Sequence, residues 1–391
     1  MKEYDLVIIG ASAAGISAAE QARKASDSLS IACFTEEDRA AYYRPLLTEI
    51  MGNPQAAEKP AFTVRPEAWF GEKRVELHTR ACVTALDPKQ HILTTRDGES
   101  FSWKRCILAC GSMPFVPLPQ ALSLPGVFTC RTLADAEAIG KAARDASRVV
   151  VIGGGLLGLE AAHYLNAPGR LVTVVELMPR ILPRQLDEAV SAWMERRIRD
   201  AGVRVLTGTQ VHAVEADPAG GLRVDTSAGE LPADVVLFSI GVRSRTDLAQ
   251  QAGLTVNRGI VVDAAMRTSH PDVFACGDAA EFSGQVWALW MPAMRMGQVA
   301  GHNAAGEKPE RLYAPALPPA ALSAFSTRIF SVGRLEGDME ARGTGEDQGM
   351  HLYFENEVLV GALLWGDTAR GMTLAKAIEQ KATRAAVASL L

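Results

Sequence analysis

The sequence is short of the features that mark metal-bound, secreted, membrane or nucleic-acid-binding proteins. Its 6 cysteines among 391 residues stand at 33, 82, 106, 110, 130 and 276, with no CxxC pair among them. Zinc is therefore not expected, and reduced thiols in a cytoplasmic setting are. Cys106 and Cys110 read as part of one extended strand, too far apart for a disulfide and better suited as small core residues. No apolar stretch reaches the roughly 20 residues a membrane helix needs, because polar residues, glycine or proline interrupt each one. The apolar N-terminus lacks the basic start of a secretory signal, since Glu3 and Asp5 stand there instead, and it reads as a first strand. With 40 basic against 45 acidic residues and a formal charge of -5, and without a run of lysine or arginine, the chain offers no track for phosphates of a nucleic acid.

What remains is an ordinary globular composition, 48% hydrophobic and 22% charged, in a chain long enough for two or three domains. Tyr4 to Ile9 is an apolar run that ends at Gly10. Gly10-Ala11-Ser12-Ala13-Ala14-Gly15 then opens an alanine-rich helical stretch to about Lys24. Strand, tight turn and helix in this order aim backbone N–H groups and a positive helix end at a pyrophosphate, and small residues such as Ala14 let it approach. Ser12 stands where a middle glycine is usual, and is still small and able to donate a hydrogen bond. The strand Ser30 to Phe34 ends beside Glu36 and Glu37, where a carboxylate would meet an adenosine ribose.

The arrangement recurs, this time complete. Arg148 to Ile152 leads into Gly153-Gly154-Gly155-Leu156-Leu157-Gly158, a helix to about Leu165, and a strand Leu171 to Val175 ending at Glu176. Glu176 would accept hydrogen bonds from a ribose 2'-hydroxyl and repel a 2'-phosphate, which favours NADH over NADPH, with Arg180 near enough to offset part of that repulsion. A single glycine loop is as well explained by close helix–strand packing. Two units, each with strand, helix and carboxylate in place, point to two dinucleotide sites.

On these motifs the chain resembles the pyridine nucleotide-disulfide oxidoreductase family. The resemblance implies an α/β fold with two Rossmann-like, glutathione-reductase-type nucleotide-binding domains and a short α+β C-terminal domain. It implies residues 1–113 and 240–312 as a discontinuous FAD domain, 114–239 as an NADH domain and 313–391 as the C-terminal domain. The first loop, with Gly10, Ser12, Ala14, Gly15 and Glu36, would then hold FAD, and Gly153, Gly155, Leu157, Gly158 and Glu176 would hold NADH. Ile107-Leu108-Ala109-Cys110-Gly111-Ser112 is similar to the segment closing the first FAD half, with Cys110 in place of the usual threonine. Val83 would also contact FAD. Ser239-Ile240-Gly241-Val242 resembles the exit from the NADH domain, Gly241 lying on the nucleotide side and Ser244 replacing a common proline. Thr268 to Asp278 resembles the second FAD signature, in which Gly277 presents Asp278 to the ribityl chain. A turn or helix-cap role would also suit an aspartate there. Pro292 is expected to open a helix to about Ala305 whose positive end faces the flavin.

Disulfide-reducing members of the family carry a redox cysteine pair, and peroxide-reducing members a single cysteine near position 43. Neither is present. Tyr42-Tyr43-Arg44-Pro45-Leu46-Leu47-Thr48-Glu49 instead is similar to the stretch found in reductases of rubredoxin, ferredoxin and flavorubredoxin, and would bring Arg44 to the flavin phosphates or ribityl chain. A solvated surface arginine is the alternative for Arg44. Glu160 is expected near the flavin, and Glu49 stands where relatives often place the lysine that pairs with it. Two acidic groups there would raise one pKa unless Glu49 turns away or Arg44 supplies the counter-charge. In the last segment, strands are expected at Thr327 to Gly333, Met350 to Phe354 and Val358 to Trp365, followed by a helix from Thr373. His351 reads as a packing or surface residue of a strand rather than a base.

The resemblance thus implies FAD and NADH as cofactors, no catalytic side chain beyond a possible part for Glu160, and no metal. Hydride would pass from NADH to FAD, and electrons from FAD to a small carrier protein such as rubredoxin. Nearly balanced charge from Arg311 onward marks no basic dock for an acidic carrier. An NADH oxidase reducing dioxygen and a sensor that holds FAD and NADH without turnover are the alternatives. The shortened C-terminal domain is compatible with a monomer or a weak homodimer.

Overall fold

The consecutive apolar residues from Tyr4 to Ile9 suit a strand covered on both faces, and Leu6, Val7 and Ile8 are almost wholly buried. Lys2–Ile9 pairs in parallel with Ile31–Phe34 on one side and Ser100–Leu108 on the other. The sheet continues through Val75–His78 beyond Ile31–Phe34, and through the antiparallel strands Ile92–Thr95 and Val83–Asp87 beyond Ser100–Leu108. Val273–Ala275 joins the upper half of Ser100–Leu108 in parallel, so the second FAD signature returns to the sheet begun by the first. The computed structural model describes residues 1–39, 41–306, 308–343 and 345–390. It divides into two compact units, Met1–Pro45 with Glu58–Met113 and Val242–Pro315, and Leu46–Ala57 with Pro114–Gly241 and Ala316–Leu391.

In the first unit the helices Ala13–Ala25 and Trp290–Ala304 lie against each other at backbone distance. The reason is a row of small residues. A side chain at Gly297 would strike the carbonyl of Ala14, and one at Gly301 the carbonyl of Ala18. The second of these helices begins at Trp290, two residues before the expected Pro292. The first four N–H groups of a helix have no intrahelical acceptor, so proline in the third position breaks no bond. Cys110 lies past the end of Ser100–Leu108, not on one extended strand with Cys106, and none of the six cysteines is joined in a disulfide.

The second unit holds a parallel sheet ordered Arg204–Leu206, Leu171–Val175, Arg148–Ile152, Val235–Phe238 and Val127–Thr129. A three-stranded antiparallel meander, Val211–Ala216, Leu222–Thr226 and Gly229–Ala233, packs its apolar face with that sheet. Residues 46–57, expected with the FAD domain, group here. The helix Leu47–Gly52 is held between two helices of this unit, Gly140 packing on the carbonyl of Met51 and Gly52 on that of Tyr164. The C-terminal segment is a five-stranded antiparallel sheet in the order Ala320–Ala324, Thr327–Gly333, Val358–Trp365, Gly349–Glu355, Asp338–Arg342. The helices Gly371–Glu379 and Arg384–Ala388 cover it with Leu374, Ile378 and Val387. The two edge strands escaped the sequence reading because AALSA and DMEAR lack the β-branched and aromatic residues by which strands are recognised. No helix among the described residues is long and apolar enough to cross a membrane.

The backbone contact at Gly301 gives a direct test. Gly301→Val should destabilise the chain by about 2–3 kcal/mol through overpacking, read as a lowered thermal unfolding midpoint. An unchanged midpoint would contradict the close approach of the two helices.

Candidate functional site

The first glycine loop is shaped by two close approaches. Gly10 adopts φ 110° and its N–H donates to the Phe34 carbonyl at 2.8 Å. A side chain there would enter the Ala109 carbonyl, and one at Gly15 would enter the carbonyl of Gly10. Glycine is thus required at both ends of the turn. Ser12 is the N-cap residue of Ala13–Ala25, yet its hydroxyl caps no amide of the helix. It accepts instead from Nε of Arg44 at 3.0 Å. The Arg44 guanidinium also pairs with Glu37 and donates to the Tyr42 hydroxyl at 3.2 Å. Its side chain is only 18% exposed, so it is not the solvated surface arginine that was the alternative. Uncapped amides at a helix start and an arginine at the same turn form a place for anionic phosphate oxygens.

The remaining first-unit residues gather around this turn or sit on its strands. Glu36 bonds Nη1 of Arg245 at 2.5 Å. Val83 is half-buried at the start of Val83–Asp87. Cys110 and Gly111 follow the end of Ser100–Leu108, and Gly111 turns with φ 73°. Asp278 lies in the single turn Gly277–Ala279, which Gly277 enters at φ 70° with Ala14 directly against it. The Asp278 carboxylate accepts from the Ser112 hydroxyl at 2.8 Å, and its carbonyl accepts from the Ser244 hydroxyl at 2.7 Å. Ser112 and Arg245 were given no role from the sequence. Glu37 was read as a ribose carboxylate beside Glu36 and pairs instead with Arg44, and Ser244 stood out only as a departure from proline.

The second loop repeats the construction. Gly153 has φ 118° and donates to the Val175 carbonyl at 2.8 Å. A side chain on it would strike the Ser239 carbonyl, and one on Gly158 the carbonyl of Gly153. Gly155 caps Leu156–Leu165 without a side chain, leaving the first amides open. Glu176 is fixed by backbone amides, its Oε2 accepting from Gly154 N in the loop at 2.6 Å and its Oε1 from Met178 N at 2.7 Å. Each oxygen keeps acceptor capacity for a ribose hydroxyl. Arg180 donates to the carbonyls of Pro183 and Leu186. Leu157, Leu177 and Met178 expose apolar surface around this loop. Gly241, at φ 106°, accepts through its carbonyl from Phe115 N at 2.9 Å.

Two further groups of the second unit carry unusual electrostatics. Burial pushes the Glu160 carboxyl up to about 7, and the Thr48 hydroxyl at 3.1 Å opposes that only in part. Desolvation is the cause of the shift. Asp187 behaves oppositely. Burial raises it, but bonds from His351, Tyr353 and Val190 N outweigh burial and hold it at about 2. His351 is 7% exposed within Gly349–Glu355, with Nδ1 2.5 Å from Asp187, and the Tyr353 hydroxyl is at the same distance. It is a packing residue of a strand tied to the start of the helix Glu188–Asp200. No cluster of three or more possible metal ligands occurs among the described residues.

Each loop therefore meets the demands of a dinucleotide: close backbone, open amides and an adjacent carboxylate. The residues fit FAD at the first and NADH at the second. The family described as "Pyridine nucleotide-disulphide oxidoreductase" matches residues 4–297, and "Rubredoxin NAD+ reductase C-terminal domain" matches 318–382. The chain is 29% identical to an NAD(P)H nitrite reductase of Bacillus subtilis (strain 168), over 98% of its own length and 48% of the relative's. It thus spans about half the length of that relative. It is 27% identical to the NADH-rubredoxin oxidoreductase of Clostridium acetobutylicum, covering 100% of this chain and 98% of that one. Among solved structures, the covalent putidaredoxin reductase–putidaredoxin complex superposes with a TM-score of 0.87 at 26% identity, over 97% of this chain and 93% of that one. Both glycine loops and the segment through Asp278 fall inside the matched region, and the chain belongs to the pyridine nucleotide-disulphide oxidoreductase family.

Proposed function

We propose that the chain is an NADH-dependent flavoprotein reductase that passes electrons to a small electron-carrier protein, rubredoxin foremost. The observation that carries this reading is the state of the thiols. None of the six is joined in a disulfide, and burial pushes Cys33 and Cys110 up to about 12 and Cys106 and Cys276 well upward. A thiol held protonated is a poor nucleophile, so disulfide reduction has no reactive group among these four. Electrons that enter at the flavin then need an acceptor outside the chain. Rubredoxin is favoured by the match of 318–382 and by the Clostridium relative, which the chain covers from end to end. The nitrite reductase and putidaredoxin reductase relatives leave a ferredoxin or a nitrite-reducing partner as the other acceptors to test. Thiols not joined in disulfides suit a cytoplasmic protein, working as a monomer or weak homodimer.

When bound, FAD supplies the chemistry, accepting a hydride from NADH and releasing electrons one at a time. The chain's own residues bind and orient. Gly10, Ala14 and Gly15 admit the pyrophosphate of FAD, Ser12 and Arg44 face its phosphates, and Glu36 accepts from its ribose. Val83, Cys110 and Gly111 line the same nucleotide, and Gly277 delivers Asp278, oriented by Ser112, to the ribityl hydroxyls. The helix that contains Pro292 offers its positive end to negative charge on the reduced ring. Gly153, Gly155, Leu157, Gly158 and Gly241 receive NADH, with Glu176 on its ribose. Glu160 carries a proton on its carboxyl near neutral pH and can hold or release it there.

Anaerobic addition of NADH should bleach the flavin absorbance, and rubredoxin should then restore it faster than ferredoxin or dioxygen does. Absence of bleaching contradicts the proposal, and restoration fastest by dioxygen makes the chain an oxidase. Glu176→Ala should raise the KM for NADH about tenfold or more, as expected for a lost hydrogen bond to a charged group, and narrow the preference over NADPH. A KM unchanged in this variant removes Glu176 from the ribose.

For Glu160 the folded pKa lies above its ordinary value. Between the usual carboxyl range and about 7 the unfolded chain releases this proton while the folded chain keeps it. Stability is therefore lost as pH rises through that window, on the order of 3 kcal/mol in all. Thermal unfolding of Glu160→Gln should lack this loss between about pH 5 and pH 8, and a pH profile equal to the parent's rules out the shift.

A further inference from the structure

Arg245 stands where none of the roles above is assigned, in the segment that re-enters the first unit. Its base is fastened twice. The Arg245 N–H donates to the Gly111 carbonyl at 3.0 Å, and the preceding Ser244 hydroxyl donates to the Asp278 carbonyl at 2.7 Å. Its tip is fastened elsewhere, Nη1 meeting Glu36 Oε1 at 2.5 Å. Gly111 follows the strand Ser100–Leu108, and Glu36 follows Ile31–Phe34. In the sheet these two strands flank Lys2–Ile9, one on each side. Neighbouring strands lie roughly 4.8 Å apart, so the two anchor points are separated by about 10 Å with the end of Lys2–Ile9 between them. The Arg245 side chain therefore crosses the carboxyl edge of that strand, where Gly10 begins the first loop. Nε of this guanidinium is buried without a hydrogen-bond partner, a donor left over in a place where buried donors are normally satisfied.

We propose that Arg245 is a strap across the first dinucleotide slot, holding Glu36 toward the adenosine ribose and supplying its charge to the pyrophosphate. The ligand class is an adenine dinucleotide joined by a pyrophosphate, and the inference rests on the reading of this loop as the FAD site. A guanidinium suits the part because it has five donors in a plane and stays charged, so it can bond a carboxylate and a phosphate at once. The strap belongs to this chain's own return segment, and Ser244, which a proline would deprive of its hydroxyl, is part of its footing.

The test is release of FAD from the flavin-loaded chain, followed by the rise in free-flavin fluorescence after dilution, at low salt and at 1 M sodium chloride. Arg245→Gln should release FAD at least threefold faster than the parent at low salt, with the gap narrowing at high salt, where charge is screened. Arg245→Lys, which keeps the charge and guards against a variant that fails to fold, should fall between the two. Release by Arg245→Gln less than threefold faster than the parent, or slower, overturns the strap, the latter making the Arg245–Glu36 pair a plug. Equal release by the lysine and glutamine variants overturns the charge-based role. If the parent chain itself neither carries nor binds FAD, the reading of the loop fails, and the strap falls with it for that separate reason.

Discussion

Both nucleotide sites depend on one steric constraint: the carbonyl of a glycine ending a parallel strand must admit a second glycine five residues later. Gly15 lies on the Gly10 carbonyl and Gly158 on that of Gly153. This contact draws the following helix against the strand end and aims its first amides outward. Because Ser12 and Gly155 contribute no cap, those amides remain available to a ligand. A β-carbon at Gly15 or Gly158 would push the helix away, and one at Gly10 or Gly153 would strike the carbonyl of Ala109 or Ser239, so the architecture and the binding chemistry are inseparable.

Around these turns the two units spend their charge differently. The first surrounds its loop with cations paired to carboxylates, Arg44 to Glu37 and Arg245 to Glu36, so positive groups are positioned before any phosphate arrives. Such pre-positioning lowers the ordering cost of binding. The second presents a carboxylate pinned by backbone amides, with apolar Leu157, Leu177 and Met178 beside it. An anion-accepting slot suits a cofactor that stays, and a rim of apolar surface with one fixed acceptor suits one that must also leave.

The sequence made the two loops, their strands and their carboxylates legible because each is a local pattern: period, glycine spacing and an acidic residue at a strand end. The strands Thr327–Gly333 and Val358–Trp365 were readable for the same reason, the first from its β-branched and aromatic residues and the second as an apolar run. Less was visible where long-range contact decides. The helix Leu47–Gly52 belongs with residues about 90 and 110 positions away through Gly140 and Tyr164, and no local feature of LTEIMG says so. The partners of Arg44 and of Asp278 were equally hidden, since a lone arginine or serine has no period to betray its contacts.

By itself the sequence determined the fold class, the two dinucleotide loops and the absence of a redox cysteine pair, since these follow from spacing and residue type along the chain. Tertiary structure decided the rest. It set Arg44 on Ser12, tied Arg180 to the carbonyls of Pro183 and Leu186 and brought Arg245 to Glu36. It also buried the Glu160 carboxyl, which raises its pKa. The reason is physical: hydrogen bonding and desolvation depend on which groups meet in space, and residues such as Glu36 and Arg245, 209 positions apart, are brought together only by the sheet between them.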